Sequence, residues 1–162
     1  METHIMEKTD KTDNPGVIAP PPLIFLSGLI LGGIISWFYP IQLIPGGLAV
    51  LLGNLFFLIG IAIIAIAYVL MRRAKTNIEP WKPTTKILDS GIYGYSRNPV
   101  YLGMILIYLA FTCFFNFVWF LPFLPVVLLI IQFGVILREE KYLESKFGEE
   151  YLDYKKRVRR WI

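Results

Sequence analysis

Ser90-Gly91-Ile92-Tyr93-Gly94-Tyr95-Ser96-Arg97-Asn98-Pro99-Val100-Tyr101-Leu102-Gly103 marks the point where a charged segment gives way to an apolar one. No Asp, Glu, Lys or Arg occurs from residue 98 to 137, and none occurs in an earlier block from 17 to 71. About 20 apolar residues cross a hydrocarbon core of about 30 Å, so each block is long enough for more than one crossing. The chain has 162 residues, of which 56% are hydrophobic and 17% charged. A soluble domain of this length carries more charge on its surface. The fold class predicted is an all-α integral membrane protein with about four transmembrane helices.

Residues 1–16 are polar and mixed in charge, and read as a disordered cytoplasmic tail. The apolar stretch that follows has no convincing cleavage site of the signal-peptide kind. Pro20, Pro21 and Pro22 stop a helix from starting earlier, and residues 23–39 form the first span. Trp37 and Tyr39 suit the membrane interface. Pro45, Gly46 and Gly47 predict a turn, and residues 48–71 a second span in which Gly53 and Gly60 allow close helix approach. Residues 17–71 thus make a two-helix N-terminal part, and residues 72–162 a C-terminal core. The loop 74–97 is irregular, with Pro80, Pro83 and Gly91 as breakers.

The block from 98 onward divides into spans at 99–114 and 119–137, with the break near Phe115 and Asn116; Pro122 and Pro125 are expected to kink the early fourth helix. Leu143, Phe147 and Tyr151 keep helical spacing beyond it, and Gly148 is expected to end a first short helix. Lys155, Lys156, Arg157, Arg159 and Arg160 read either as an interfacial segment seeking anionic headgroups or as a solvated positive tail. Lys and Arg crowd the loop and the C-terminal segment, while the turns near Pro45 and Asn116 hold none. This predicts both termini on the cytoplasmic side.

The third and fourth spans form a hairpin, so Asn98 at its entrance and Arg138-Glu139-Glu140 at its exit return to one membrane face. Asn98 can cap the helix that Pro99 begins. Tyr101 lies on the face of Asn98, and Gly103 clears space beside them. A helix N-terminus suits a ligand carboxylate. Adjacent glutamates project about 100° apart, so one of Glu139 and Glu140 is expected to face a pocket more strongly. Acidic groups at this depth suit a cationic ligand. His4 is the sole histidine and Cys113 the sole cysteine, which gives a metal site, a catalytic triad or an intrachain disulfide almost no material. Neither metal nor nucleic acid is expected as a partner.

Taken in order, residues 90–93 (Ser-Gly-Ile-Tyr), Arg97-Asn98-Pro99-Val100-Tyr101-Leu102-Gly103, Arg138-Glu139-Glu140, Phe147-Gly148-Glu149-Glu150-Tyr151 and Lys155-Lys156-Arg157-Val158 make the chain resemble the isoprenylcysteine carboxyl methyltransferase and phospholipid methyltransferase superfamily of membrane enzymes. The resemblance covers residues 72–162. It implies an S-adenosylmethionine-dependent methyltransferase acting on a lipophilic or membrane-associated acceptor. Leu88, Tyr93, Asn98, Pro99, Val100, Tyr101 and Gly103 would bind the cofactor and Glu139 would close the site. Glu139 or Glu140 would bind the cofactor's amino group, favour its positive charge or take a proton from the acceptor. The prenylcysteine branch usually has His where Asn98 stands, and its substrate-binding arginine has no counterpart among residues 134–137. The Asn-Pro-x-Tyr-x-Gly pattern resembles the phospholipid branch, and both departures speak against prenylcysteine as the substrate. The alternatives are a membrane reductase using NADPH, for which no Gly-rich dinucleotide fingerprint is present, and a non-catalytic module that binds lipid or a partner through its basic tail.

Overall fold

Three prolines set where the first helix begins. Pro20 stands just outside it, while Pro21 and Pro22 open it, where a missing N–H has no intrahelical partner to lose. The computed structural model describes residues 13–77 and 82–162. In it α1 spans Pro21–Phe38, α2 Gly46–Arg73, α3 Pro99–Phe115, α4 Phe123–Ile131, α5 Leu137–Phe147 and α6 Glu149–Arg157. One 3-10 turn, Gly91–Gly94, precedes α3 and another, Val118–Phe120, follows it. A π-helical segment, Gln132–Ile136, joins α4 to α5 with right-handed helical angles at both junctions. Among the described residues no strand forms beyond an isolated bridge between Gln42 and Phe117. The fold is all-helical, as expected.

Pro21–Phe38, Gly46–Arg73 and the run Val118–Phe147 are long and apolar enough to cross a membrane. Helix α3 is also apolar but has 17 residues, about 25 Å of helix against a core of about 30 Å. It is thus the short member of the expected four. Helix α2, with 28 residues, is about 42 Å long and overshoots the core, which carries Arg72, Arg73 and the loop beyond it. Gly46 and Gly47, expected in the turn, are instead the first helical residues after Pro45. Pro122 stands just before α4 and Pro125 sits in its first turn, where proline is tolerated. Gly148 ends α5 at φ 55°, ψ −127°, a conformation that glycine adopts without a Cβ penalty.

Lipid tails are as apolar as the side chains, so association of these helices depends on close packing. Helices α2 and α3 form the most extensive pair, and Gly60 and Gly103 face each other at their crossing. A Cβ on either would lie 2.9 Å from the other's carbonyl oxygen. On α1, the buried Gly28, Gly32 and Ser36 follow one another at i, i+4; a Cβ at Gly28 would be 2.7 Å from Val127, and one at Gly32 2.7 Å from Phe120. That α1 stripe was not read from the sequence, whereas the role of Gly60 was. At the far membrane face Asn116 adopts left-handed angles (φ 52°, ψ 42°). Its side chain accepts from the Ile44 N–H at 3.1 Å and donates to the Ile44 carbonyl at 2.8 Å. One residue thereby serves its own turn and ties it to the α1–α2 turn.

The α2–α3 crossing gives a stability test. Gly60→Ala puts a methyl against a backbone oxygen that has nowhere to move, so overpacking of about 1–3 kcal/mol is expected as a lower thermal midpoint in detergent. Gly33→Ala, on open helix surface, is expected to leave the midpoint unchanged or raise it.

Candidate active site

The hairpin of α3 with the α4–α5 run brings two first turns together. Tyr101, in the first turn of α3, donates its hydroxyl to Glu139, in the first turn of α5; the hydroxyl oxygen lies 2.9 Å from both carboxylate oxygens. Around this contact is a cavity of about 260 Å³. Its walls come from the end of α2 (Met71) and the Thr76–Asn77 turn, the loop with Leu88 and Tyr93, the start of α3, α5, the Tyr151 and Tyr154 rings of α6, and Pro15, Pro21 and Pro22. Leu88, Tyr93, Asn98, Pro99, Val100, Tyr101, Glu139 and Glu140 all border it. Gly103 does not: it is turned to Ile64 and Gly60 of α2, and its small size serves the helix crossing.

The capping role expected for Asn98 is corrected. Its backbone angles (φ −129°, ψ 49°) accompany no side-chain cap of α3. Its Nδ2 instead donates to the carbonyl of Arg160 at 2.9 Å, and its backbone N–H to the Ser96 hydroxyl at 3.1 Å. The first turn of α3 therefore meets the cavity without a side-chain cap.

The two glutamates have different environments. Glu140 is buried and held from two sides: Arg160 forks onto it with Nε and Nη2 each at 2.8 Å, and Arg97 Nη1 lies 3.2 Å from Oε1. Its charge is matched by two guanidinium groups. Glu139 is half-buried, and among the described residues no cation pairs with it; Tyr101 is its hydrogen-bond partner. A charged group at this depth without a counter-ion is expensive unless a ligand supplies one. Helical geometry alone separates the pair by about 100°, and the arginines decide which acid is left available.

Two further polar atoms lack partners. The Tyr93 hydroxyl and Arg97 Nε are buried with no hydrogen bond. Buried polar groups are rarely left so, and an orphan donor at a cavity wall fits a ligand acceptor. Burial, with the Glu139 charge adding to it, lifts the Tyr93 phenol well above its ordinary range. Burial pushes Tyr151 up to about 12 and raises Tyr154 further. These phenols stay protonated near neutral pH: Tyr154 donates a hydrogen bond to the Tyr93 carbonyl at 2.8 Å, and the Tyr151 hydroxyl oxygen accepts one from Arg97 Nη1 at 3.3 Å.

Arg97, Tyr151, Tyr154 and Arg160 were not singled out as site residues from the sequence. Arg97 and Tyr151 had a signal, since Arg97 stands inside the motif and Tyr151 continues the i, i+4 series of Leu143 and Phe147. Together with Tyr154, Val158 and Ile87 those residues form a small core of their own. Arg160 had none beyond its place in the basic tail. Within that tail Arg160 binds Glu140, Arg157 reaches Asp89 at 3.0 Å, Lys156 reaches Asp153 at 2.9 Å and Lys155 pairs with Glu144. Residues 1–12 of the tail expected to be disordered lie outside the described residues. Its remainder lies along α5, where Asp13 accepts from Lys146 at 2.7 Å and Tyr142 at 2.6 Å, and Arg138 donates to the Gly16 carbonyl at 2.8 Å.

The phospholipid methyltransferase family matches residues 48–150. That is well over half of the chain, which belongs to this family. Membership suggests methyl transfer to a lipid-like acceptor, and with the apolar helices it makes this an integral membrane protein. The matched region takes in α2, the loop, α3 and α5, and so most of the cavity wall; α1 and residues 151–162 lie outside it. An uncharacterized protein of Haemophilus influenzae is 50% identical over 64 residues, which is 39% of this chain and the whole of that protein. No solved structure matches the chain.

The unequal glutamates give a second test. Glu140→Ala strands the buried Arg97 guanidinium, which is 8% exposed, so a loss of about 3–5 kcal/mol is expected in thermal or denaturant unfolding in detergent. Glu139→Ala is expected to keep the wild-type midpoint to within a few degrees.

Proposed function

We propose that the protein transfers a methyl group from S-adenosylmethionine to a lipophilic acceptor that reaches the cavity from the membrane. The acceptor classes are a phospholipid amine, a thiol or a carboxylate. The observation that carries the reading is the pairing of Tyr101 with Glu139 across the wall of a cavity that also contains an orphan Tyr93 hydroxyl. Those groups fit the cofactor. An acid without a counter-ion suits its positive charge, an unsatisfied phenol suits its polar edge, and a helix start without a side-chain cap suits its carboxylate.

When bound, S-adenosylmethionine supplies a methyl group already activated by a positively charged sulfur. The protein's task is then mainly to hold and orient in a dry site. Tyr101 fixes the Glu139 carboxylate through one hydroxyl shared between its two oxygens. Glu139 offers negative charge within the cavity, and its oxygens are the atoms to which an amine or thiol acceptor can yield a proton. Tyr93 keeps its proton and offers a hydrogen bond with it. Asn98 is held by the Arg160 carbonyl, and it keeps the backbone entering α3 in position. Pro21, Pro22, Val100, Met104 and Ile136 line the apolar side, where they exclude water and accept a hydrocarbon chain.

With the Lys and Arg of the loop and the C-terminal segment facing the cytoplasm, both termini lie on that side and the cofactor enters from it. The three full spans and short α3 are consistent with this even count.

Incubation of the purified protein with methyl-labelled S-adenosylmethionine and a total membrane lipid extract is expected to give a labelled product in the organic phase. S-adenosylhomocysteine is expected to raise the thermal midpoint of the wild type and not that of Glu139→Ala. A shift with NADPH and none with S-adenosylhomocysteine would turn the reading to a reductase. Binding unchanged in Glu139→Ala would remove that residue from the site.

A further inference from the structure

The C-terminal residues are attached to the site along an unbroken line of bonds. The Arg97 N–H donates to the Arg159 carbonyl at 3.0 Å; the Ser96 hydroxyl, at 3.4 Å, and Asn98 Nδ2, at 2.9 Å, both donate to the Arg160 carbonyl. The Arg160 side chain then turns to fork Glu140, and Trp161 packs on the membrane core. Residues 159–161 therefore touch the backbone that enters α3 on one side and the start of α5 on the other. These are the two segments whose Tyr101 and Glu139 must meet. Neither could be fixed by its own helix alone, because α3 has no side-chain cap and α5 follows a π-helical segment.

We infer that Arg160 is a positioning residue for the methyl-transfer site: it fastens the C-terminal strap to Glu140, and through that strap sets Ser96–Arg97–Asn98 and the Tyr101–Glu139 contact. The inference rests on the cofactor reading above for its effect on activity, though not for its structural part. The strap lies beyond the residues 48–150 that the family model matches.

The chemistry of the contact is specific. A guanidinium offers two parallel donors to one carboxylate, and an ammonium at the same place offers a point charge without the fork. Lysine should therefore restore the charge balance at Glu140 but not the full geometry. Lys156 is exposed and paired with its own helix neighbour Asp153; it shares the tail's charge without touching the site.

The test compares Arg160→Ala, Arg160→Lys and Lys156→Ala with the wild type. Amide hydrogen exchange without any ligand is the first readout. Arg160→Ala is expected to lose protection at the Arg97 amide, whose acceptor is the Arg159 carbonyl, and to leave α1 and α2 unchanged. In the second readout, Arg160→Ala is expected to raise the KM for S-adenosylmethionine by about tenfold or more, the scale of one lost hydrogen bond to a charged group. Its kcat should fall less, Arg160→Lys should stand between, and Lys156→Ala should match the wild type. Protection unchanged in Arg160→Ala, a KM within about twofold of wild type, or lysine no better than alanine would each overturn the inference. Should Arg160→Ala not survive purification, Arg160→Lys and Glu140→Gln decide on the same criteria. The exchange measurement needs no cofactor, so it stands even where labelled S-adenosylmethionine gives no product, an outcome that counts against the proposed function instead.

Discussion

A single carboxylate between two guanidinium groups joins the loop, the start of α5 and the C-terminal end. Arg97 comes from the loop, Glu140 from α5 and Arg160 from the C-terminal end. Buried charge is tolerated only when its partners satisfy it fully, and here one acid meets two bases with a bidentate fork. The surplus positive charge borders a cavity whose other acid, Glu139, has no base among the described residues. The neighbouring groups are thus arranged so that one glutamate is spent on structure and the other is kept for a ligand. Had both arginines paired with different acids, the cavity would have no negative group left to offer.

Beneath this polar layer close packing brings the helices of the bundle together. Gly60 and Gly103 let α2 and α3 approach at backbone distance, and Gly28 and Gly32 let α1 rest on Val127 and Phe120. The glycine at 103 shows how a motif can be divided between two tasks. Asn98, Pro99 and Tyr101 of that motif face the cavity, while Gly103 brings the helix close enough to α2 for the end of α2 to form a wall. Helix α3 is short, so its first turn can carry polar atoms without drawing them through hydrocarbon.

Much of this was legible in the sequence because membranes impose simple rules. The gaps in charge gave the apolar helices, the hairpin argument brought Tyr101 to Glu139, and Asn116 was recognisable as a turn residue. What escaped was the set of contacts that depend on the chain's return. Nothing in local spacing says that the Asn98 amide will bond a carbonyl at residue 160 rather than cap its own helix. Nor does a row of Lys and Arg reveal that Arg160 will be bound to Glu140 while Arg157 reaches Asp89. Periodicity found the row Leu143, Phe147 and Tyr151 even though Gly148 breaks the helix between them, because the broken ends still pack on one small core.

The π-helical segment Gln132–Ile136 alters the phase of everything after it. A π turn contains one residue more than an α turn, and each residue advances a helix by about 100°. The azimuth of α5 is therefore displaced from the one that α4 would have given it. Which glutamate meets Tyr101 and which meets the arginines depends on that extra residue, lodged a full turn earlier within apolar surroundings. The Gly134 carbonyl in this segment accepts the Ile18 N–H at 3.2 Å, so the N-terminal segment is fastened to the register shift itself. The polarity of the cavity is in this sense a matter of helical phase, set inside the membrane by residues that carry no charge.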